Sequence, residues 1–220
     1  MLRIPEPELM EDEEQARVYA ETDFEQTHRF AVELLGSSIP DLPSTGIALD
    51  LGCGPADITL RFAKAFPGWR VDGVDGSEAM LSHGRLALQR EGLGDRIHLV
   101  RQTLPSGEGL RQQYDLVFST SLLHHLGEPE VLWASVKRWA PAGTPVFVMD
   151  LMRPASRELA EQLVDTHYPD GPDVLRRDFL SSLIAAYRVD EVREQLSKAE
   201  LSHFQVEAAT DRHLVSWGRR

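Results

Sequence analysis

The feature that most constrains this chain is a regular alternation of short apolar runs with amphipathic stretches between residues 47 and 149. Runs at 47–51, 69–74, 97–100, 114–118 and 145–149 are brief and bounded by turn residues, as expected of strands buried on both faces. Between most of them lie stretches of helical spacing, at 58–66, 77–91 and 131–139. Strands joined by crossover helices must return over the sheet with right-handed geometry, which implies a mainly parallel, doubly wound α/β sheet. Only 103–113, between the third and fourth runs, has neither pattern and reads as a loop.

The flanks are different. Residues 12–35 place Ala16, Tyr19, Ala20, Phe30, Val32, Leu34 and Leu35 at roughly helical spacing, and Gly36-Ser37-Ser38 is expected to end that run. After Asp150 come a helical stretch at 156–168, a Pro169-Asp170-Gly171-Pro172 turn, and more helix through Leu196. Two strand-like segments, 204–208 and 214–217, flank Thr210-Asp211-Arg212 and read as a closing hairpin.

At 220 residues, with 42% hydrophobic and 26% charged residues, the chain suits one globular domain. A formal charge of −12 works against phosphate backbones and anionic membranes, so no nucleic-acid or membrane partner is expected. The single Cys53 rules out an internal disulfide, and with no apolar leader or membrane-length run the expected location is the cytoplasm.

The strongest local signal is the first apolar run, ending in Asp50-Leu51 and followed by Gly52-Cys53-Gly54 and a helix. Glycine lets backbone turn sharply and approach a ligand, and ligands of doubly wound sheets bind beyond the carboxyl ends of the strands. Asp75 closes the next run, 75 − 54 = 21 residues after the second glycine, where an acid accepts hydrogen bonds from ribose hydroxyls. A dinucleotide fingerprint would have a third glycine where Asp57 stands. An acid there repels a pyrophosphate, whereas Asp50 and Asp57 would suit a ligand with sulfonium and ammonium groups, as in S-adenosyl-L-methionine.

Residues 48–56, Ala-Leu-Asp-Leu-Gly-Cys-Gly-Pro-Ala, resemble the first motif of the class I methyltransferases. The segment from Val71 through Asp75 to Leu81 is similar to that family's second motif, and Tyr114-Asp115-Leu116-Val117-Phe118-Ser119 to its fourth-strand motif. The resemblance is strong over 46–150 and weaker through Val189-Asp190-Glu191-Val192 and the hairpin. It implies a Rossmann-like, mainly parallel seven-stranded sheet with a C-terminal antiparallel hairpin and a helical cover. Within one domain, 1–45 would form a helical lid, 46–150 the cofactor-binding core, 151–188 a cover on the acceptor side, and 189–220 the last helix and hairpin.

The resemblance further implies that Gly52, Cys53 and Gly54 approach the methionine part of the cofactor, that Asp75 holds the ribose, and that Gly76 and Ser77 flank the adenosine. Where the family commonly has an acid after the third strand, this chain offers Gln102, whose side-chain carbonyl can accept the adenine amino hydrogen. Ser119 and the residues after it would line the crevice near the transferred methyl, with His125, ahead of His124, as a base for acceptors that need one. Tyr19 would fold over the cofactor as a lid residue, or pack on the sheet as an ordinary aromatic.

The arginines at 153, 157, 176, 177 and 188 could bind an anionic acceptor through their guanidinium forks, but they are interspersed with acids and read better as solvated helix faces. His83, His167, His203 and His213 lack metal-ligand spacing, and no metal is assigned. The expected activity is methyl transfer to a small-molecule acceptor by in-line displacement. A methyltransferase for protein or RNA, a cofactor-binding subunit without turnover, and a nicotinamide oxidoreductase are the alternatives, the last disfavoured by Asp57.

Overall fold

A computed structural model describes residues 1–7 and 9–220. The strands are β1 (Gly46–Leu51), β2 (Trp69–Asp75), β3 (Ile97–Arg101), β4 (Leu116–Thr120), β5 (Pro145–Leu151), β6 (Gln205–Ala208) and β7 (His213–Arg219). They form one seven-stranded sheet in the order β3-β2-β1-β4-β5-β7-β6. The first five are parallel, β7 runs antiparallel to β5, and β6 antiparallel to β7. The mainly parallel sheet and its closing hairpin are thus as expected.

Helices α3 (Asp57–Ala65), α4 (Glu78–Glu91) and α5 (Glu130–Trp139) follow β1, β2 and β4. Alternate residues of each strand feed two cores. Leu49 and Leu51 of β1 with Val146 and Val148 of β5 join Trp133, Val136 and Trp139 of α5 on one face. Ala48, Phe147 and Met149 join Leu60, Phe62 and Ala63 of α3 on the other. This two-sided burial explains why the strands read as near-continuous apolar runs rather than alternating ones.

The stretch between β3 and β4 holds turns and no helix. It is pinned from below by the nearly fully buried Asp72 of β2, which accepts hydrogen bonds from Tyr114 Oη at 2.8 Å and Arg111 Nε at 3.1 Å. Because β3 lies at one edge and β4 beside β1, the chain reverses its direction of travel between β1 and β4. Such a switch point opens a crevice beyond the strand ends.

The flanks supply the cover: α1 (Glu13–Glu21), α2 (Glu25–Ser38), α6 (Arg157–His167), α7 (Asp173–Ala185) and α8 (Val189–Lys198). Helix α2 runs through Gly36 to Ser38 rather than ending at the glycine, and Ser37 Oγ donates back to Leu34 O within it. The segment 189–192 opens α8. Among the described residues no helix is long and apolar enough to cross a membrane.

Candidate active site

A cavity lies past the carboxyl ends of β1 to β4, lined there by Gly52, Gly54, Asp75, Gln102 and Thr120 among others. The glycine turn is tied to the end of β2. Gly52 N and Cys53 N both donate to Val74 O, at 2.8 and 3.1 Å, and Gly54 N donates to Asp75 Oδ2 at 2.9 Å. Gly52 sits at φ +74°, where a Cβ would also come within 2.8 Å of Leu122 Cδ1, so a side chain is excluded on both counts. Asp75 Oδ1 accepts from Ser77 N at 2.8 Å, and Ser77 caps α4 by accepting from Met80 N. One carboxylate therefore fixes the glycine turn and the start of α4 while lining the cavity. Burial raises its pKa, against the lowering effect of these backbone N–H groups.

Gly76, Ser77, Gln102, Cys53 and Tyr19 also line the cavity. Tyr19 comes from α1 and packs on Phe24 with ring centroids 4.9 Å apart; burial raises its phenol pKa. Two expected residues do not line it. Asp50 is 1% exposed, accepts from Thr59 Oγ1 at 2.6 Å and leaves Oδ1 without a hydrogen-bond partner. Burial pushes its pKa up to about 7. Ser119 is buried in β4 and donates to Leu51 O at 2.7 Å; strand alternation gives the crevice position to Thr120 instead.

Asp57 lines the cavity but is already engaged, correcting the expectation that it faces a cationic ligand as a free acid. Its Oδ2 meets His28 Nδ1 at 2.5 Å and Arg61 Nε at 2.8 Å, joining α2 to α3. Despite partial burial, these two partners lower its pKa to about 2.

The other end of the cavity lies beyond β4 and β5. A 3₁₀ turn, Leu123–His125, presents both imidazoles to the cavity with ring centroids 4.1 Å apart. His124 Nδ1 lies 2.5 Å from Oδ1 of Asp150, near the end of β5, and that carboxylate also accepts from Leu123 N at 2.5 Å. Burial opposes charge on His124, yet Asp150 beside it raises its pKa. Burial and then the neighbouring His124 push His125 down to about 3.

Sequence reasoning missed the strap over this end. Arg3 Nη2 donates to His124 O and Leu126 O, both at 3.0 Å, and its guanidinium covers the Tyr187 ring. Glu6 Oε1 lies 3.2 Å from His125 Nδ1 and 3.6 Å from His124 Nε2, and accepts from Ser182 Oγ of α7 at 2.9 Å. Ser77 Oγ donates to Met10 O at 2.6 Å, so the strap reaches the Asp75 end as well. Also missed were Tyr168 and Phe179 of the cover and Arg212 of the hairpin turn, all lining the cavity. Arg212 Nη1 meets His167 Nε2 at 2.9 Å and Asp211 Oδ1 at 3.0 Å. Arg157, Arg176 and Arg177 pair with Glu161, Asp165 and Asp178, and Arg188 reaches Met1 O; Arg153 is buried outside any helix and pairs with Glu191, correcting its reading as part of a solvated helix face.

A family model described as a methyltransferase domain matches residues 49–146. The trans-aconitate 2-methyltransferase of Streptomyces avermitilis is 30% identical over 158 residues, covering 68% of this chain and 57% of that protein. An uncharacterised Synechococcus protein is 29% identical over 67% of this chain and 37% of its own length. The chain thus spans only part of these curated relatives. Among solved structures, a SAM-dependent methyltransferase from Aquifex aeolicus superposes with TM-score 0.64 at 16% identity, covering 92% of this chain and 96% of that one. The plantazolicin methyltransferase BpumL, solved with a pentazolic desmethylPZN analog and SAH, gives TM-score 0.67 at 12% identity over 94% and 90%. With the ordered motifs at Gly52–Gly54 and Asp75 and the 3-2-1-4-5-7-6 sheet, these findings show a methyltransferase-domain match over residues 49–146 in a chain with the fold of solved SAM-dependent methyltransferases.

Proposed function

We propose that the protein transfers a methyl group from S-adenosyl-L-methionine to a small-molecule acceptor. The observation that carries this reading is one cavity running from Asp75 and Gln102 to Tyr168 and Arg212, roofed by residues of the strap, α1 and α7. A site walled on the acceptor side by Phe24, Tyr168 and Phe179 suits a small molecule better than a polymer, which needs an open groove. The small acid in the name of the trans-aconitate relatives supports the same class.

The residues present fit the cofactor. Asp75 offers the ribose acceptor oxygens on a carboxylate already held by two N–H groups, and the left-handed Gly52 and Gly54 leave backbone exposed for the methionine part. Gly76, Ser77 and Gln102 border the adenosine position, and Tyr19 closes over it. When bound, the cofactor supplies a methyl group activated by its sulfonium. The protein's part is to hold donor and acceptor in line and keep water out, which α7, the strap and Tyr19 do. His124 and His125 border the acceptor, and Arg212 stands at the far end.

The test is turnover with methyl-labelled cofactor against small carboxylic acids including trans-aconitate, phenols, amines and thiols, with bulk RNA and unfolded protein in parallel. Label in a small product with stoichiometric S-adenosylhomocysteine supports the reading. Label only in RNA or protein overturns it.

A further inference from the structure

Three electron-pair donors meet at the acceptor end, and the proposed transfer does not use them as a set. Glu6 is 124 − 6 = 118 residues from His124, yet ligand atoms of Glu6, His124 and His125 lie within 4.8 Å of one another. The His124 Nε2–Glu6 separation of 3.6 Å is too long for a hydrogen bond. His125 Nδ1, though buried and 3.2 Å from the same oxygen, has no hydrogen-bond partner. In the neutral tautomer that donates Nδ1–H to Asp150, 2.5 Å away, His124 Nε2 offers a lone pair on the side of Glu6. Two imidazole nitrogens and a carboxylate converging at these distances form a set that can share one cation.

The spacing fits zinc. Zinc bonds of about 2.0–2.1 Å at tetrahedral angles put ligand atoms about 3.3–3.4 Å apart, whereas octahedral angles would put them about 2.9 Å apart. The two separations, 3.2 and 3.6 Å, bracket the tetrahedral value. Outer partners are present too: Asp150 orients His124, and the Ser182 hydroxyl donates to Glu6 at 2.9 Å. Two imidazoles and one carboxylate form a borderline set suited to zinc, and both histidines line the cavity, which supplies an entry path.

We propose that Glu6, His124 and His125 bind one Zn²⁺ with its fourth position open to the acceptor end. The ion ties the N-terminal strap to the floor of the cavity. This site stands on its own geometry and does not depend on methyl transfer being the reaction.

The experiment uses the tag-free full chain stripped with a chelator, titrated calorimetrically with Zn²⁺ and followed by visible absorption with Co²⁺, without cofactor. One metal per chain and the intense bands of tetrahedral Co²⁺ are expected. Glu6→Gln and His125→Ala should each weaken binding at least about tenfold. Retained S-adenosylhomocysteine binding in both variants shows that they fold. No stoichiometric binding to the stripped chain, or an affinity unchanged from the unsubstituted chain in both folded variants, overturns the site. Neither result bears on cofactor binding, which is read separately.

Discussion

Asp75→Ala tests the cofactor end most sharply, because this one carboxylate holds the glycine turn, the start of α4 and the proposed ribose position. An ionised carboxyl group offers about four acceptor sites, of which Gly54 N at 2.9 Å and Ser77 N at 2.8 Å occupy two. The remaining capacity is available to two ribose hydroxyls. A hydrogen bond to a charged group contributes about 1.5–3 kcal/mol. Water entering the space left by the side chain recovers part of this, so a net loss of about 2–4 kcal/mol is expected. That corresponds to about 30- to 1,000-fold in Kd. Calorimetric titration with S-adenosylhomocysteine measures the loss, and circular dichroism checks the fold. A folded variant whose Kd changes less than about threefold would refute the assignment of Asp75 to the ribose.

Asp57→Ala should separate the engaged acid from the ligand-binding one. Losing its contacts with His28 and Arg61, on a side chain 40% exposed, should cost about 1–2 kcal/mol and lower Tm by about 2–8 °C, while S-adenosylhomocysteine affinity stays within about threefold; a large affinity loss at unchanged Tm would contradict this. For Asp50, burial holds the folded pKa at about 7, above the ordinary value of 3.8, so the folded state binds the proton more tightly than the unfolded state. The associated stability is present below about pH 4 and is lost as pH rises toward 7, on the order of 4 kcal/mol in total. Thermal melts should therefore show Asp50→Asn gaining on the unsubstituted protein between pH 5 and 8, and parallel Tm curves would refute it.

The fold was legible because local chemistry and global topology agree: strands buried on both faces leave unbroken apolar runs, and Ser77 and Gly92 mark the two ends of α4. The glycine turn and Asp75 were legible for the same reason, being set by neighbouring backbone. Side-chain direction was less so. Asp50 and Ser119 stand at the right strand ends, but one is buried behind the turn and the other faces Leu51 O. Asp57 looked free, although its i,i+4 pairing with Arg61 within α3 was legible, because its other partner, His28, comes from α2, whose packing on α3 has no local signature. Glu6 lay in a segment without periodicity and became part of the site only through the strap's path over His124 and His125.

The most direct test of the account is a calorimetric titration of the purified protein with S-adenosylmethionine, S-adenosylhomocysteine and NADH in parallel. The account predicts one-to-one binding of the two sulfur compounds and none of NADH. Binding of NADH alone would contradict it.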